Sequence, residues 1–101
     1  MAYEPYITQP AMAELKAIRV FDRRRIVNEI KVQLTNEPTV PTRHRKCLGS
    51  VSAGFEHVPP VWELRVGDFR VFYDVAESAQ FVYIRAVRRK DPDQTTEEVI
   101  S

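Results

Sequence analysis

The sequence has a single cysteine, Cys47, so an internal disulfide framework is excluded. A lone thiol suits a reducing compartment, because disulfide-stabilised small domains belong to oxidising ones. The N-terminal segment MAYEPYITQP lacks the apolar core of a signal peptide, and no window approaches the length and hydropathy of a membrane span. We therefore expect a cytoplasmic protein that does not associate with a membrane.

The sequence also lacks a charge excess and any widespread catalytic motif. Fifteen Lys and Arg residues balance fourteen Asp and Glu residues, so the net charge gives no indication of a polyanionic partner. No phosphate-binding glycine loop, CxxC pair or HExxH motif is present. The histidines, His44 and His57, have no paired metal-ligand spacing, so we expect no metal and no other cofactor.

What is present indicates one domain over residues 1–101, because this length permits a single modest core. Apolar residues at helical spacing follow Ala11, and a second apolar stripe ends before Pro38, which disfavours helical geometry in the residue before it. Strands are predicted over Tyr3–Thr8, Val61–Val66, Phe69–Val75 and Gln80–Val87, residues 37–60 are expected to be irregular, and residues 95–100 to form one helical turn or a disordered tail. The fold class is therefore α+β: an N-terminal helical hairpin packed on one face of a small, mainly antiparallel β-sheet.

The segment VWELRVGDFRVFYDV predicts a tight β-hairpin. Gly67-Asp68 is a natural two-residue turn, since glycine tolerates the positive φ that such turns require. The turn sets the register, because side chains alternate between the two faces of a strand. The core face, under the helices, is then expected to carry Trp62, Leu64, Val66, Phe69, Val71 and Tyr73, joined from the third strand by Val82, Ile84 and Ala86.

The face of the sheet away from the helices, here named the distal face, is predicted to carry a row of arginines. Arg65 lies opposite Arg70 in this register, and a four-residue loop after the second strand would bring Arg85 beside Arg70. Like charges directly opposite each other on a sheet are unfavourable. Two explanations remain open: Glu63, Asp74 or Glu77 neutralises the row as a surface ion-pair network, or a phosphate backbone binds there.

Two clusters of basic residues favour the second explanation. Both can reach the rim of the distal face, where Phe72 and Tyr83 are expected to be exposed and able to stack on unpaired bases. The clusters are Arg43, Arg45 and Lys46, and Arg85, Arg88, Arg89 and Lys90. A third run, Arg23–Arg25, falls in the helical pattern and is interpreted as a solvated helix face.

WELRVGDFRVFYDV followed by FVYIRAVRRK resembles the C-terminal half of the RelE/ParE superfamily of toxins from bacterial type II toxin–antitoxin systems. The opening strand and helical hairpin are similar to that family as well. The resemblance implies a toxin neutralised by a cognate antitoxin, with operator DNA reached only through the antitoxin complex. In the RelE-like branch it implies an mRNA endonuclease that acts on the ribosome without a metal. There the 2′-hydroxyl attacks the adjacent phosphate and basic side chains stabilise the developing charge.

The resemblance also implies roles for individual residues. Arg70 would hold the scissile phosphate, and Arg89, or Lys90 in a shifted register, would stabilise the transition state or the leaving oxygen. Arg65 would border the site, and Glu63 would be either a base or a salt-bridge partner of Arg65. The residues expected to bind RNA are Arg43, Arg45, Lys46, Arg85, Arg88 and Lys90.

The sequence departs from the RelE-like pattern at two places. The lysine pair of that branch would fall at Val61 and Glu63, and the C-terminal tyrosine has no counterpart in residues 91–101. Three hypotheses stay open: a ribosome-dependent mRNA endonuclease, a ParE-like inhibitor of DNA gyrase that needs no nuclease site, and a degenerate member that only binds its antitoxin.

Overall fold

The computed structural model describes residues 2–101, which form a five-stranded sheet with helices on both faces. The elements in chain order are β1 (Glu4–Ile7), α1 (Gln9–Lys16), α2 (Val20–Leu34), β2 (Arg45–Gly49), β3 (Val61–Val66), β4 (Phe69–Ala76), β5 (Phe81–Arg89) and α3 (Thr96–Ile100). Within these residues no helix is long and apolar enough to cross a membrane.

The sheet has the order β1-β5-β4-β3-β2, with β1 parallel to β5 and every other pair antiparallel. This arrangement confirms the predicted α+β class. The expectation that residues 37–60 are wholly irregular is wrong, because β2 lies inside this range and forms an edge of the sheet. Its sequence, RKCLG, has neither the alternation nor the β-branched residues that indicate a strand.

The helical hairpin forms where its apolar spacing requires it. Ile26, Ile30 and Leu34 recur every four residues, so they share one side of α2, and all three are buried against the sheet. The helix ends at Leu34, four residues before Pro38. On the same side of the sheet, the buried Tyr73 hydroxyl donates a hydrogen bond to the Pro38 carbonyl at 2.6 Å, and burial raises its pKa.

The register of the β3–β4 hairpin is the predicted one. Trp62 lies opposite Tyr73, Leu64 opposite Val71 and Val66 opposite Phe69. Gly67, in the turn, has a φ of +57°, a value that glycine adopts without strain. The six side chains of the predicted core face all belong to the main apolar core beneath the helices.

Part of the distal face is covered, which corrects the expectation of an open face with Phe72 and Tyr83 exposed. Phe72 is fully buried, and Tyr83 is half-buried. Phe72, Val61 and Ala86 form a second core with Val99 and Ile100 of α3. The tail is therefore ordered as a helical turn, begun by a capping box between Thr95 and Glu98.

A β-bulge changes the pairing expected for β5. Tyr73 lies opposite Ile84 but Phe72 lies opposite Ala86, so Arg85 is an extra residue without a partner in the ladder. Ala86 is thereby on the distal face, not on the core face as predicted, while Val82 and Ile84 remain in the main core. The bulge also places Arg88, not Arg85, opposite Arg70.

Candidate nucleic-acid interface

A groove at the β2 edge of the distal face brings together several of the predicted site residues. It has a volume of about 400 Å³ and lies at the end of the distal face beside the β3–β4 turn, away from the second core that α3 forms with Phe72. Its lining is Pro41, Thr42, Arg43, His44, Arg45, Lys46, Cys47, Glu63 and Arg65. This groove is named the basic groove below.

Glu63 is the acidic residue of the basic groove. Its side chain is 7% exposed, and the Oε2 atom has no hydrogen-bond partner among residues 2–101. The nearest cation is Arg70, whose Nε lies 4.0 Å from Oε2, beyond hydrogen-bonding distance. A buried carboxylate oxygen without a partner costs free energy, so the described fold leaves the Glu63 carboxylate incompletely satisfied beside the groove.

Arg70 is held inward by the turn that precedes it. Its Nη1 atom donates to the carbonyls of Gly67 at 2.8 Å and Phe69 at 2.9 Å. Burial lowers the pKa of the Arg70 guanidinium, and the neighbouring Glu63 carboxylate opposes that shift. The expected pairing of Glu63 with Arg65 is therefore wrong. The cation nearest to the Glu63 carboxylate is Arg70, at 4.0 Å.

The cations at the rim of the basic groove have no acidic partners. In the described chain no carboxylate lies within 4.0 Å of Arg43, Lys46 or Arg65. Lys46 lies directly opposite Glu63 in the β2–β3 ladder, and residues paired in this way share a face. Sequence reasoning grouped Lys46 with a basic loop and missed this pairing, because it did not detect β2.

Two other predicted RNA-binding residues have their guanidinium groups engaged within the fold. Arg45 is 8% exposed, and it donates to the carbonyls of Val40 and Gln33, joining β2 to the end of α2. Arg85 donates to both carboxylate oxygens of Asp74, at 2.8 and 3.2 Å. Protein acceptors engage both guanidinium groups, although Arg45 is part of the groove lining.

The basic residues at the end of β5 lie on opposite faces of the sheet, because side chains alternate along a strand. Arg88, on the distal face, pairs with Glu14 at 3.1 Å and donates to the carbonyls of Val99 and Ser101. Arg89 lies on the helix side, in a cavity with Arg19 and Asp22, and contacts Asp68 and Asp91. Lys90 follows Arg89, so alternation returns it to the side of Arg70. The structure therefore brings Arg65, Arg70 and Glu63 together but not Arg89.

The arrangement combines a partly desolvated carboxylate with three unpaired cations. A carboxylate in such a position can accept a proton from a hydroxyl, and guanidinium or ammonium groups can stabilise negative charge on a phosphate. These groups are suited to acid–base catalysis on a phosphodiester. They are equally suited to binding a phosphodiester without reacting with it.

Comparisons with known proteins agree with this architecture. The sequence model of the ParE toxin of the type II toxin–antitoxin system, parDE, matches residues 6–93. A search of proteins with curated descriptions gave no match. Among solved structures, a chain of the toxin–antitoxin complex RelBE2 from Mycobacterium tuberculosis superposes with a TM-score of 0.68 at 23% identity, over 89% of this chain and 100% of that one. A chain of the archaeal RelE–RelB complex from Pyrococcus horikoshii superposes with a TM-score of 0.69 at 18% identity, over 91% and 99% respectively.

Proposed function

The chain belongs to the ParE toxin family of type II toxin–antitoxin systems, and we propose that it is a toxin neutralised by a cognate antitoxin and that its activity is the cutting of mRNA on the ribosome. The family match confirms the resemblance of the sequence to the RelE/ParE superfamily. The antitoxin partner is supported by the structural neighbours, both of which are complexes of a toxin with its antitoxin.

The unsatisfied Glu63 carboxylate in the basic groove is the observation that supports a nuclease most strongly. A structural ion pair would satisfy both oxygens of a buried carboxylate, and Glu63 Oε2 has no such partner in residues 2–101. The unpaired Arg43, Lys46 and Arg65 surround it on the groove rim. An RNA phosphodiester with a free 2′-hydroxyl supplies a proton donor to the carboxylate and negative charge to the cations.

In the proposed reaction Glu63 accepts the proton of the RNA 2′-hydroxyl as that oxygen attacks the adjacent phosphorus. The bond from phosphorus to the 5′ oxygen breaks, leaving a 2′,3′-cyclic phosphate and a 5′-hydroxyl. Lys46, opposite Glu63 in the ladder, donates a proton to the leaving 5′ oxygen. Arg65 stabilises the charge on the non-bridging oxygens, and the positive charge of Arg70 lies 4.0 Å from the Glu63 carboxylate.

The test is translation arrest with mapping of mRNA ends. Expression of the chain without its antitoxin should produce cleaved mRNA ending in 2′,3′-cyclic phosphate, and purified toxin with programmed ribosomes should cut at the same positions. Glu63→Gln should lower the cleavage rate by about 100-fold or more, since it retains shape but cannot take a proton. Arg24→Gln, an exposed arginine of α2, is the matched control and should cut normally. Equal cleavage by the Glu63→Gln and Arg24→Gln variants would remove Glu63 from the mechanism.

A second candidate function is inhibition of DNA gyrase without nuclease chemistry. It is favoured because the two arginines that follow Arg65 across the sheet are already engaged within the fold. Arg70 donates to the carbonyls of its own turn, and Arg88 is bound by Glu14 and α3. Under this alternative, expression leaves mRNA intact and causes filamentation with an SOS response. Gyrase supercoiling assays with the purified chain then separate the two functions directly.

A further inference from the structure

The basic run at the start of α2 is divided among three environments. Arg23 is half-buried and its Nη2 atom donates to the Ile18 carbonyl at 3.1 Å, which closes the end of α1. Arg24 lies on the outer surface beside Val27 and Lys31, as a solvated helix residue. Arg25 instead lies beside the β3–β4 turn, on a different side of the helix. The run is therefore not one solvated face.

Arg25 is positioned by the turn and not by an acidic partner. A Cβ atom built on Gly67 would lie 2.7 Å from Nη1 and 3.1 Å from Nη2 of Arg25, so the guanidinium rests directly on the glycine. No carboxylate within residues 2–101 comes within 4.0 Å of it. The fold thus holds a guanidinium group at the tip of the hairpin and leaves its charge unneutralised.

A second groove connects Arg25 to the basic groove. Its volume is about 180 Å³, and it shares both His44 and Arg65 with the basic groove. Its remaining lining residues are Arg25, Glu29, Gln33, Val66 and Gly67. Glu29 is its one acidic residue, and the amide of Gln33 donates to that carboxylate at 3.4 Å. The two grooves therefore continue past Arg65, from the distal face around the sheet end to α2.

We propose that the two grooves bind consecutive phosphates of one RNA strand: Arg65, which lines both grooves, binds the phosphate at Glu63, and Arg25 binds the next phosphate. This inference rests on the proposed function and extends it to a second phosphate subsite. A guanidinium group binds a phosphate through two parallel hydrogen bonds, and two such groups on different elements fix the positions of two neighbouring phosphates. An acidic protein segment suits the second groove less well, because Val66 is the only apolar side chain there and binding segments are held mainly by apolar anchors.

The inference is tested by the salt dependence of RNA binding. A short 2′-O-methyl oligouridine, which cannot be cleaved, is titrated with the wild-type chain and with the Arg25→Gln and Arg24→Gln variants at several salt concentrations. Arg25→Gln should weaken binding about three- to tenfold, the range for one net hydrogen bond. It should also reduce the slope of log affinity against log salt by about 0.7, the value for one phosphate contact with a single strand. Arg24→Gln, with the same charge change on the same helix, should shift affinity less than about twofold.

The possible failures are distinguishable. If the wild type binds the oligonucleotide but both variants show equal affinity and slope, the Arg25 subsite is wrong and the proposed function stands. If the wild type shows no salt-dependent binding, the subsite and RNA binding by the basic groove are both wrong. A loss on Arg25→Gln that is confined to binding of the antitoxin would assign the second groove to a protein partner and overturn the inference. Arg25→Lys, which keeps the charge but not the paired hydrogen bonds, should recover the slope and only part of the affinity.

Discussion

The two ends of the distal face differ in how their charges are neutralised. At the end near Asp74, Arg85 is bound by two oxygens of one carboxylate, and the Val58 amide donates to the same group. At the end near the hairpin turn, Arg65 has no acidic partner and Glu63 has an unsatisfied oxygen. One face of the sheet thus carries a completed polar network between β4 and β5 and an incomplete one on β3.

This difference separates structural arginines from those available to a ligand. A buried or half-buried ion pair with all its hydrogen bonds made has no capacity left for a further partner. Unpaired cations around an unsatisfied carboxylate are tolerated only where solvent or a ligand completes them. The basic content of the sequence therefore overstates the interface, which is limited to the turn end of the face.

The largest expected contrast is in stability. Phe72→Ala should lower the free energy of unfolding by about 3–5 kcal/mol, because it removes a fully buried aromatic ring from the covered half. Arg65→Ala, the exposed neighbour in the open half, should change it by less than about 0.5 kcal/mol. Urea unfolding followed by fluorescence measures both. Equal losses would show that the open half is as much a part of the core as the covered half.

A somewhat smaller loss is expected at the satisfied ion pair. Asp74→Ala should destabilise the chain by about 3 kcal/mol, since it leaves the Arg85 guanidinium, 13% exposed, without its partner. Asp74→Asn retains one acceptor and should lose less. Thermal unfolding of both variants gives the comparison. A neutral result for Asp74→Ala would mean that Arg85 finds water or Glu56 at no cost, and that the two ends are alike.

Tyr73 is a buried polar group whose hydrogen bond to Pro38 is made, so it can be compared with the unsatisfied Glu63. Its contribution is measured by the pH dependence of the free energy of unfolding. Its pKa is raised by burial, so the unfolded chain releases the phenolic proton at lower pH than the folded one. The stabilisation is complete below about pH 10, the ordinary tyrosine pKa, and is lost as pH rises above it, with a slope of about 1.4 kcal/mol per pH unit. Urea unfolding from pH 9 upward measures this slope, and Tyr73→Phe should remove it. A slope that survives in Tyr73→Phe would come from another group.

The smallest effect is expected at Glu63. Glu63→Gln should leave the free energy of unfolding unchanged or raise it by up to about 1 kcal/mol, because the amide is cheaper to bury than a carboxylate whose Oε2 has no partner. Chemical denaturation at neutral pH measures the change. A loss above about 2 kcal/mol would instead make Glu63 a structural partner of Arg70, and the turn end would then resemble the Asp74 end.

The sequence was sufficient for the hairpin because local rules determine it. Gly67 sets the turn, and strict alternation then assigns each side chain from Trp62 to Tyr73 to a face. The sequence was not sufficient for the β5 register. Apolar residues stand on both sides of Arg85, so the alternation of β5 is compatible with a regular strand and with a strand that has an extra residue at Arg85. The sequence also did not predict that part of the distal face is covered. Phe55 and Val99 pack over Phe72 from segments far apart in sequence, and neither segment has a periodic pattern.

The same limit applied to the site. Glu63, Arg65 and Arg70 follow from the hairpin alone, so their proximity was predictable. Lys46 came to lie opposite Glu63 through a strand whose sequence does not favour strands, and Arg25 reached the groove through tertiary packing on Gly67. Basic residues are easily counted in a sequence, but whether each one has an acidic partner depends on long-range contacts.

The parallel pairing of β1 with β5 has a consequence for synthesis of the chain. Glu4–Ile7 must wait for Phe81–Ile84 before it can join the sheet, so the chain has to be made through Ile84 first. Closing so long a loop is slow compared with forming the β3–β4 hairpin, whose partners are neighbours. A ribosome-bound nascent chain therefore presents helices without their complete supporting sheet until β5 has emerged.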